Sequence, residues 1–260
     1  MSADALIGFT GFVGSNLAAQ RPFAFAYNSK NIAEIENRTF DLLIFAGADS
    51  RKWLANQRPA EDWASIQRAI APLGSVSAQQ AVLISTIDVI PVTESDRGEL
   101  ANCDTGETSP YGRNRRLLEV HFLQRFPHAL VVRLPALFGP GLKKNVIYDL
   151  MHDNMLEEVN PASAFQYYDV TRLTNDLSVA LGANLKLVHL FPEPIATEVI
   201  VQRFFPHKEI GRNASPVARY DYRTRHGPLF GGTGEFIETS ERVLTRLGKF
   251  ISAEGKRRSG

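Results

Sequence analysis

A doubly wound, parallel α/β sheet is what this sequence predicts, and three observations carry the prediction. Short apolar runs alternate with helical patterns through the first 134 residues. Three glycines stand at G-x-x-G-x-x-G spacing between the first run and the first helical segment. The alternation then loosens after Gly139-Pro140-Gly141, as expected where a smaller second lobe follows the sheet.

The elements follow in order. Ala5 to Ile7 is apolar throughout, as a strand covered on both faces must be. Gly8, Gly11 and Gly14 come next and lead into a helical segment, Phe12 to Gln20. At such a strand-to-helix turn the first glycine permits a tight reversal and the second lets backbone approach a pyrophosphate. The third lets helix pack on strand, while N–H groups at the helix start face the phosphates. Gly8, Gly11, Phe12, Val13 and Gly14 are therefore candidate dinucleotide-binding residues. Phe23 to Tyr27 and Leu42 to Ala46 read as the next two strands, with helical character between them from Asn31 to Asn37. Roughly thirty residues separate Gly14 from Ala46, which is short for a full Rossmann half, so an edge strand and its connection are predicted to be shortened or missing. Ala60 to Leu73 and Tyr111 to Gln124 read as helices, and Ala81 to Ser85 and Leu130 to Leu134 as strands. One further strand, Leu185 to Leu190, is expected within the second lobe.

This reading gives a dinucleotide-binding Rossmann-type domain over residues 1–138 and 166–184. A substrate-binding lobe over residues 139–165 and 185–252 covers the carboxyl edge of the sheet, and residues 253–260 form a flexible tail. Lys256-Arg257-Arg258 belongs to that tail as solvated charge.

Composition narrows the function classes. With 260 residues, 44% of them hydrophobic and 22% charged, the chain buries a core without disulfides. The formal charge of +1 gives no reason to expect nucleic acid or an anionic membrane as partner. No run of about 18 apolar residues and no leader pattern is present, so a cytoplasmic protein is expected. The single Cys103 has no internal partner, and no histidine or cysteine cluster has metal-ligand spacing, so no metal is expected.

At the end of the second strand a NAD site usually carries an acidic side chain for the ribose 2′-hydroxyl. Here Asn28, Ser29 and Lys30 stand in that place. A hydroxyl and an ammonium suit a 2′-phosphate, so NADP is the expected cofactor ahead of NAD, the other reading being a polar turn with a helix cap.

Candidate chemistry lies at the ends of the next elements. Ser85 and Thr86 close a buried strand, and Ser109-Pro110-Tyr111 opens a helix with a good cap and first residue. Tyr111 and Arg115 are four apart on that helix and share a face. A cation about 4.5 Å from a phenolate, at an effective dielectric near 20, attracts it by roughly 3 to 4 kcal/mol, which is two to three pKa units. The expectation is a phenol pulled down toward its working range, exchanging a proton with a substrate oxygen while hydride moves at carbon. The competing reading pairs Arg115 with Glu119, again four along, as a solvated ion pair. A hydrolase built on Ser85 lacks an identifiable histidine partner.

Taken together these residues resemble the extended short-chain dehydrogenase/reductase family, in particular its NAD-dependent epimerase/dehydratase group, over most of residues 3–205. Gly8, Gly11 and Gly14 match the family's glycine turn, and Ala46-Gly47-Ala48 its small-residue strand end beside the cofactor. In Ser85-Thr86-Ile87-Asp88-Val89 the resemblance puts Thr86 in the place of the catalytic hydroxyl and Asp88 beside the substrate; Tyr111 matches the tyrosine of Y-x-x-x-K. The stretch from Arg133 to Gly141 is similar to R-x-x-x-x-Y-G-P, and Phe165 to Val170 to a later aromatic and aspartate segment. Three departures stand out. Arg115 replaces the lysine, Phe138 replaces a tyrosine, and Ser65, Ile66 and Gln67 occur where many relatives carry an asparagine.

The resemblance implies Thr86, Tyr111 and Arg115 as catalytic residues and a nucleotide sugar as substrate, with Lys144 and Asn145 on its phosphates and Lys143 as a further charge. It also implies a homodimer formed through helices of the nucleotide domain. The cluster from Arg219 to His226 is assigned no role. The function expected is an NAD(P)-dependent oxidoreductase or epimerase. The alternative, motivated by Arg115 and the shortened edge, is a dinucleotide-binding sensor or scaffold that does not turn over.

Overall fold

The computed structural model describes residues 3–94, 96–104 and 106–259. The strands in chain order are β1 (Ala5–Ile7), β2 (Phe25–Tyr27), β3 (Thr39–Phe45), β4 (Ser77–Thr86), β5 (Leu130–Leu134), β6 (Ala136–Phe138), β7 (Ala164–Phe165), β8 (Tyr167–Asp169), β9 (Leu187–His189) and β10 (Ile195–Ala196). The helices are α1 (Phe12–Gln20), α2 (Lys52–Gln57), α3 (Pro59–Ile70), α4 (Pro110–Arg125), α5 (Val146–His152), α6 (Leu173–Gly182), α7 (Thr197–Phe204) and α8 (Ser240–Ser259). The chain divides into two compact units, Met1–Leu134 with Thr174–His189, and Pro135–Leu173 with Leu190–Gly260.

The first unit is a six-stranded sheet in the order β2-β1-β3-β4-β5-β9, parallel throughout. β1 and β5 are buried on every residue, which is why they carry no polar alternation. The chain runs from β1 outward to β2, then crosses to the other side of β1 to make β3. β2 is therefore the edge, and the outer strand of a full Rossmann half is missing, as the tight spacing predicted. Where helical character was expected from Asn31 to Asn37 there is a single 3-10 turn, Ile32–Ile35, because four residues suffice to return the chain to β3.

Three boundaries differ from expectation. Residues 135–138, expected in the first domain, belong to the second unit. The strand expected inside the second lobe is β9, which extends the main sheet beside β5 through Val132↔Val188. Residues 166–173 belong to the second unit, because β8 pairs with β6 in a separate two-stranded sheet rather than with the main one.

The second unit adds an antiparallel pair, β7 with β10, and a core of Phe138, Ile147, Leu150, Tyr167, Ile200 and Leu247. The tail is a correction: α8 runs to Ser259, so residues expected to fray continue a helix, with Arg257 Nη1 2.8 Å from Glu254 Oε1 one turn back. Gly260 and the Arg258 side chain lie outside the described residues. Among the described residues no helix is long and apolar enough to cross a membrane, and no group of three His, Cys, Asp or Glu is placed to hold a metal ion.

Candidate active site

The switch in strand order falls between β1 and β3, and ligands of open α/β sheets bind at the carboxyl edge of such a switch. The glycine turn follows β1, Ala46-Gly47-Ala48 follows β3, and Thr86 ends β4, so three neighbouring strands present their candidate residues along one edge.

The glycine turn is built so that side chains are excluded. Gly8 has φ +88°, and a Cβ there would lie 2.4 Å from the Ala46 carbonyl oxygen. A Cβ at Gly14 would lie 2.1 Å from the Gly8 carbonyl oxygen, which fixes α1 directly on the turn. At Gly11 the nearest atom to a Cβ is 3.4 Å away, and the backbone, φ −77° and ψ 169°, is one any residue adopts. The fold therefore does not require glycine at Gly11. Gly8 N–H donates to Tyr27 O at 2.7 Å and Ser15 N–H to Gly11 O at 2.8 Å. The N–H groups of Phe12, Val13 and Gly14 precede the first in-helix acceptor and point out of the start of α1. An open turn of this kind, with N–H groups at a helix start, has room and donors for a phosphate group.

At the end of β2 much of the polar capacity goes into the turn. Asn28 N–H donates to Asn31 Oδ1 at 2.7 Å, and Lys30 N–H donates to Asn28 Oδ1 at 2.9 Å. Ser29 and Lys30 are exposed.

Tyr111 lies in the first turn of α4. Ser109 caps that helix, its Oγ accepting from Gly112 N–H at 3.2 Å. A Cβ on Gly112 would be 2.0 Å from the Asp88 carbonyl oxygen, so glycine there lets α4 start directly against the turn after β4. Asn56 Oδ1 accepts from Tyr111 N–H at 3.0 Å, tying α2 to the same point. The Tyr111 side chain is buried, and the Arg115 Cζ stands 4.3 Å from its ring centroid, as the four-residue spacing predicts.

The electrostatic outcome differs from expectation. Burial pushes the Tyr111 phenol up, Asp88 adds to that, and Arg115 and Lys52 pull it down without offsetting it. The Arg115 guanidinium faces the ring and is also engaged by the neighbouring acids. Its Nη1 and Nη2 donate to Asp62 at 2.9 and 3.0 Å, and Nη2 also donates to Asp49 O. Arg115 Nε is buried without a hydrogen-bond partner among the described residues, a donor left for a ligand. Asn114 Nδ2 donates to Asp62 Oδ2 at 2.8 Å as well. The sequence reading passed over Asp62, whose only local signal is an acid in the first turn of α3.

The expected alternative pair, Arg115 with Glu119, is replaced by different partners. Glu119 is buried and accepts from Arg133 Nε at 3.0 Å and Nη2 at 2.8 Å, from Arg116 Nη1 at 3.0 Å and from Ser85 Oγ at 2.6 Å. Burial pushes the Glu119 carboxyl up, but Arg133, Ser85 and Arg116 outweigh it and hold the group below the usual carboxylate range. Ser85 is thereby committed to a buried ion cluster. Thr86, one residue on and turned the other way as strand geometry demands, is instead bonded to Asp88. Thr86 Oγ1 donates to Asp88 Oδ2 and accepts from Asp88 N–H, both at 3.2 Å, and Lys52 Nζ is 2.5 Å from Asp88 Oδ1. Cys103 is free, with burial pushing its thiol up.

In the second unit, Asn145 caps α5. Its Oδ1 accepts from the N–H groups of Ile147 and Tyr148 at 3.0 and 3.2 Å, and Nδ2 donates to Leu137 O at 2.8 Å, which leaves one N–H for any ligand. Lys143 and Lys144 are exposed. The cluster from Arg219 to His226 packs as structure. Tyr222 exchanges two hydrogen bonds with buried Gln166, and Tyr220 lies 5.4 Å from Phe165 ring to ring.

No protein-family model and no curated protein matches the chain by sequence. Solved structures do match it in shape. The UDP-glucose 4-epimerase of Thermotoga maritima, in complex with UDP-glucose, superposes with a TM-score of 0.73 at 13% identity, covering 98% of this chain and 99% of that one. The chain shares the Rossmann-type α/β fold of that structure. DesIV of Streptomyces venezuelae, a dTDP-glucose 4,6-dehydratase solved with NAD, gives 0.74 at 11% identity and 98% coverage of both chains. MoeE5, solved with UDP-glucose and NAD, gives 0.71 at 15% identity, covering 98% of this chain and 99% of that one.

Proposed function

We propose that this chain binds NAD(P) at the Gly8–Gly14 turn and transfers hydride to or from a carbonyl or alcohol carbon of a nucleotide sugar, with Tyr111 exchanging the proton at oxygen. The observation that carries this reading is a buried Tyr111 at the start of α4, a helix whose first turn packs against the Asp88 carbonyl after β4, with the Arg115 guanidinium over the Tyr111 ring. A bound nicotinamide supplies the hydride acceptor or donor. Gly8, Gly11 and Gly14 admit its pyrophosphate, with the N–H groups of Phe12, Val13 and Gly14 as donors. Ala46, Gly47 and Ala48 keep the β3 end small beside it. Arg115 offers its unpartnered Nε to the cofactor's ribose while its charge stabilises the phenolate. Thr86 holds the substrate oxygen, and Tyr111 gives or takes the proton there. Lys30, exposed beyond β2, favours a 2′-phosphate and hence NADP over NAD.

A second reading, a dinucleotide-binding protein without turnover, is favoured by the raised phenol and the locked Arg115. One experiment separates them. NADH and NADPH are titrated by fluorescence, and the protein is then incubated with NAD(P)+ and UDP-glucose, or with NAD(P)H and a dTDP-4-keto sugar, while absorbance at the reduced-nicotinamide band and the sugar product are both followed. The enzyme reading expects turnover lost at least a hundredfold in Tyr111→Phe with cofactor binding kept. Binding without turnover in wild type favours the second reading, and no binding of either cofactor refutes both.

A further inference from the structure

We propose, resting on the hydride-transfer reading above, that Lys52 acts through Asp88 as the second positioning cation of the Tyr111 site, fixing the Thr86 hydroxyl as a hydrogen-bond acceptor. The need for such a group follows from Arg115. Its two Nη groups are taken by Asp62 and the Asp49 carbonyl, it faces the ring of Tyr111, and a guanidinium does not release protons at any working pH. Lys52 has the complementary properties. Its ammonium is a compact three-donor head at the start of α2, 2.5 Å from Asp88 Oδ1, and the side chain is 43% exposed, so it stays in contact with water while Asp88 is 18% exposed.

The hydrogen-bond inventory then sets the state of Thr86. Its single O–H donates to Asp88 Oδ2, and one lone pair of Oγ1 accepts from Asp88 N–H. One lone pair remains. In this arrangement Thr86 accepts from a substrate hydroxyl, and it donates to a carbonyl only by giving up Asp88. The site as folded is thus set for the alcohol form of a substrate, with Lys52 holding the carboxylate that does the setting. The charges whose field reaches the phenol come from three elements: Arg115 on α4, Asp88 after β4 and Lys52 on α2. Asp62 on α3 and Asp49 after β3 engage Arg115 instead.

The test uses full-length protein labelled with 13Cζ-tyrosine, the Tyr111 resonance being assigned by its loss in Tyr111→Phe. Its ionisation is followed in wild type, Lys52→Met and Lys52→Arg. Removing the cation leaves the Asp88 charge without its ammonium partner, so the Tyr111 midpoint rises in Lys52→Met by at least about half a unit, a threefold loss of phenolate at a fixed pH, and Lys52→Arg restores it. An unchanged midpoint in Lys52→Met, or the same rise in Lys52→Arg as in Lys52→Met, overturns the proposal. NADH binding is measured on the same samples. Failure of wild type to bind NADH refutes the hydride-transfer reading, whereas an unmoved phenol in protein that binds NADH refutes the role of Lys52 alone.

Discussion

Replacing Gly11 with alanine separates the ligand role of the glycine turn from its packing role. A Cβ at Gly11 meets only the Gly8 carbonyl oxygen, at the ordinary contact distance of 3.4 Å, in an extended backbone that suits alanine. Restricting the unfolded chain stabilises by about 0.4 to 1 kcal/mol, and the loss of glycine at an N-cap costs a similar amount. The melting temperature of Gly11→Ala is therefore expected within a few degrees of wild type. The methyl group, however, occupies the space through which a pyrophosphate approaches the backbone, and the Kd for NADH should rise at least tenfold, about 1.4 kcal/mol. Gly14→Ala is the control: its Cβ would sit 2.1 Å from Gly8 O and 2.7 Å from Gly8 C, both backbone atoms, so α1 must move and stability falls by about 1 to 3 kcal/mol along with binding. The assay is NADH fluorescence titration beside thermal unfolding by circular dichroism. Wild-type NADH affinity in Gly11→Ala, with Gly14→Ala destabilised, would make the turn a packing device and refute the reasoning.

Glu119→Gln leaves Arg133, 3% exposed, without its counter-charge and should cost about 3 to 5 kcal/mol, on the order of 10 °C in melting temperature. The double variant Glu119→Leu with Arg133→Met should recover most of that loss, and a double variant no more stable than the single would show that the pair is not the cause. Because the folded Glu119 carboxyl lies below its unfolded value, its contribution is present above the usual carboxylate range near pH 4 to 5 and is lost as pH falls through the folded value. The gap in stability between wild type and Glu119→Gln should accordingly narrow in acid, which urea unfolding at pH 7 and below pH 4 would measure. Lys30→Ala should weaken NADPH several-fold and leave NADH unchanged; equal loss for both, in the same titration, would remove the 2′-phosphate contact.

The sequence alone determined the layered α/β fold, the glycine turn, the missing edge strand and the Tyr111–Arg115 contact, because each is written in a local period or spacing. Apolar runs must be strands or helices, four residues along a helix must meet, and thirty residues hold no more than thirty residues of structure. Only the tertiary structure decided what surrounds them. Asp62, Asn56, Lys52 and Arg133 reach their partners across separations of 53, 55, 36 and 14 residues, which no local pattern records. That is why the phenol expected to be pulled down is pushed up: spacing placed the arginine, but burial, with Asp88 adding to it, outweighs the arginine's pull. The same reason moved Leu187–His189 from the second lobe into the main sheet, since a short apolar strand carries no mark of the neighbour it will pair with.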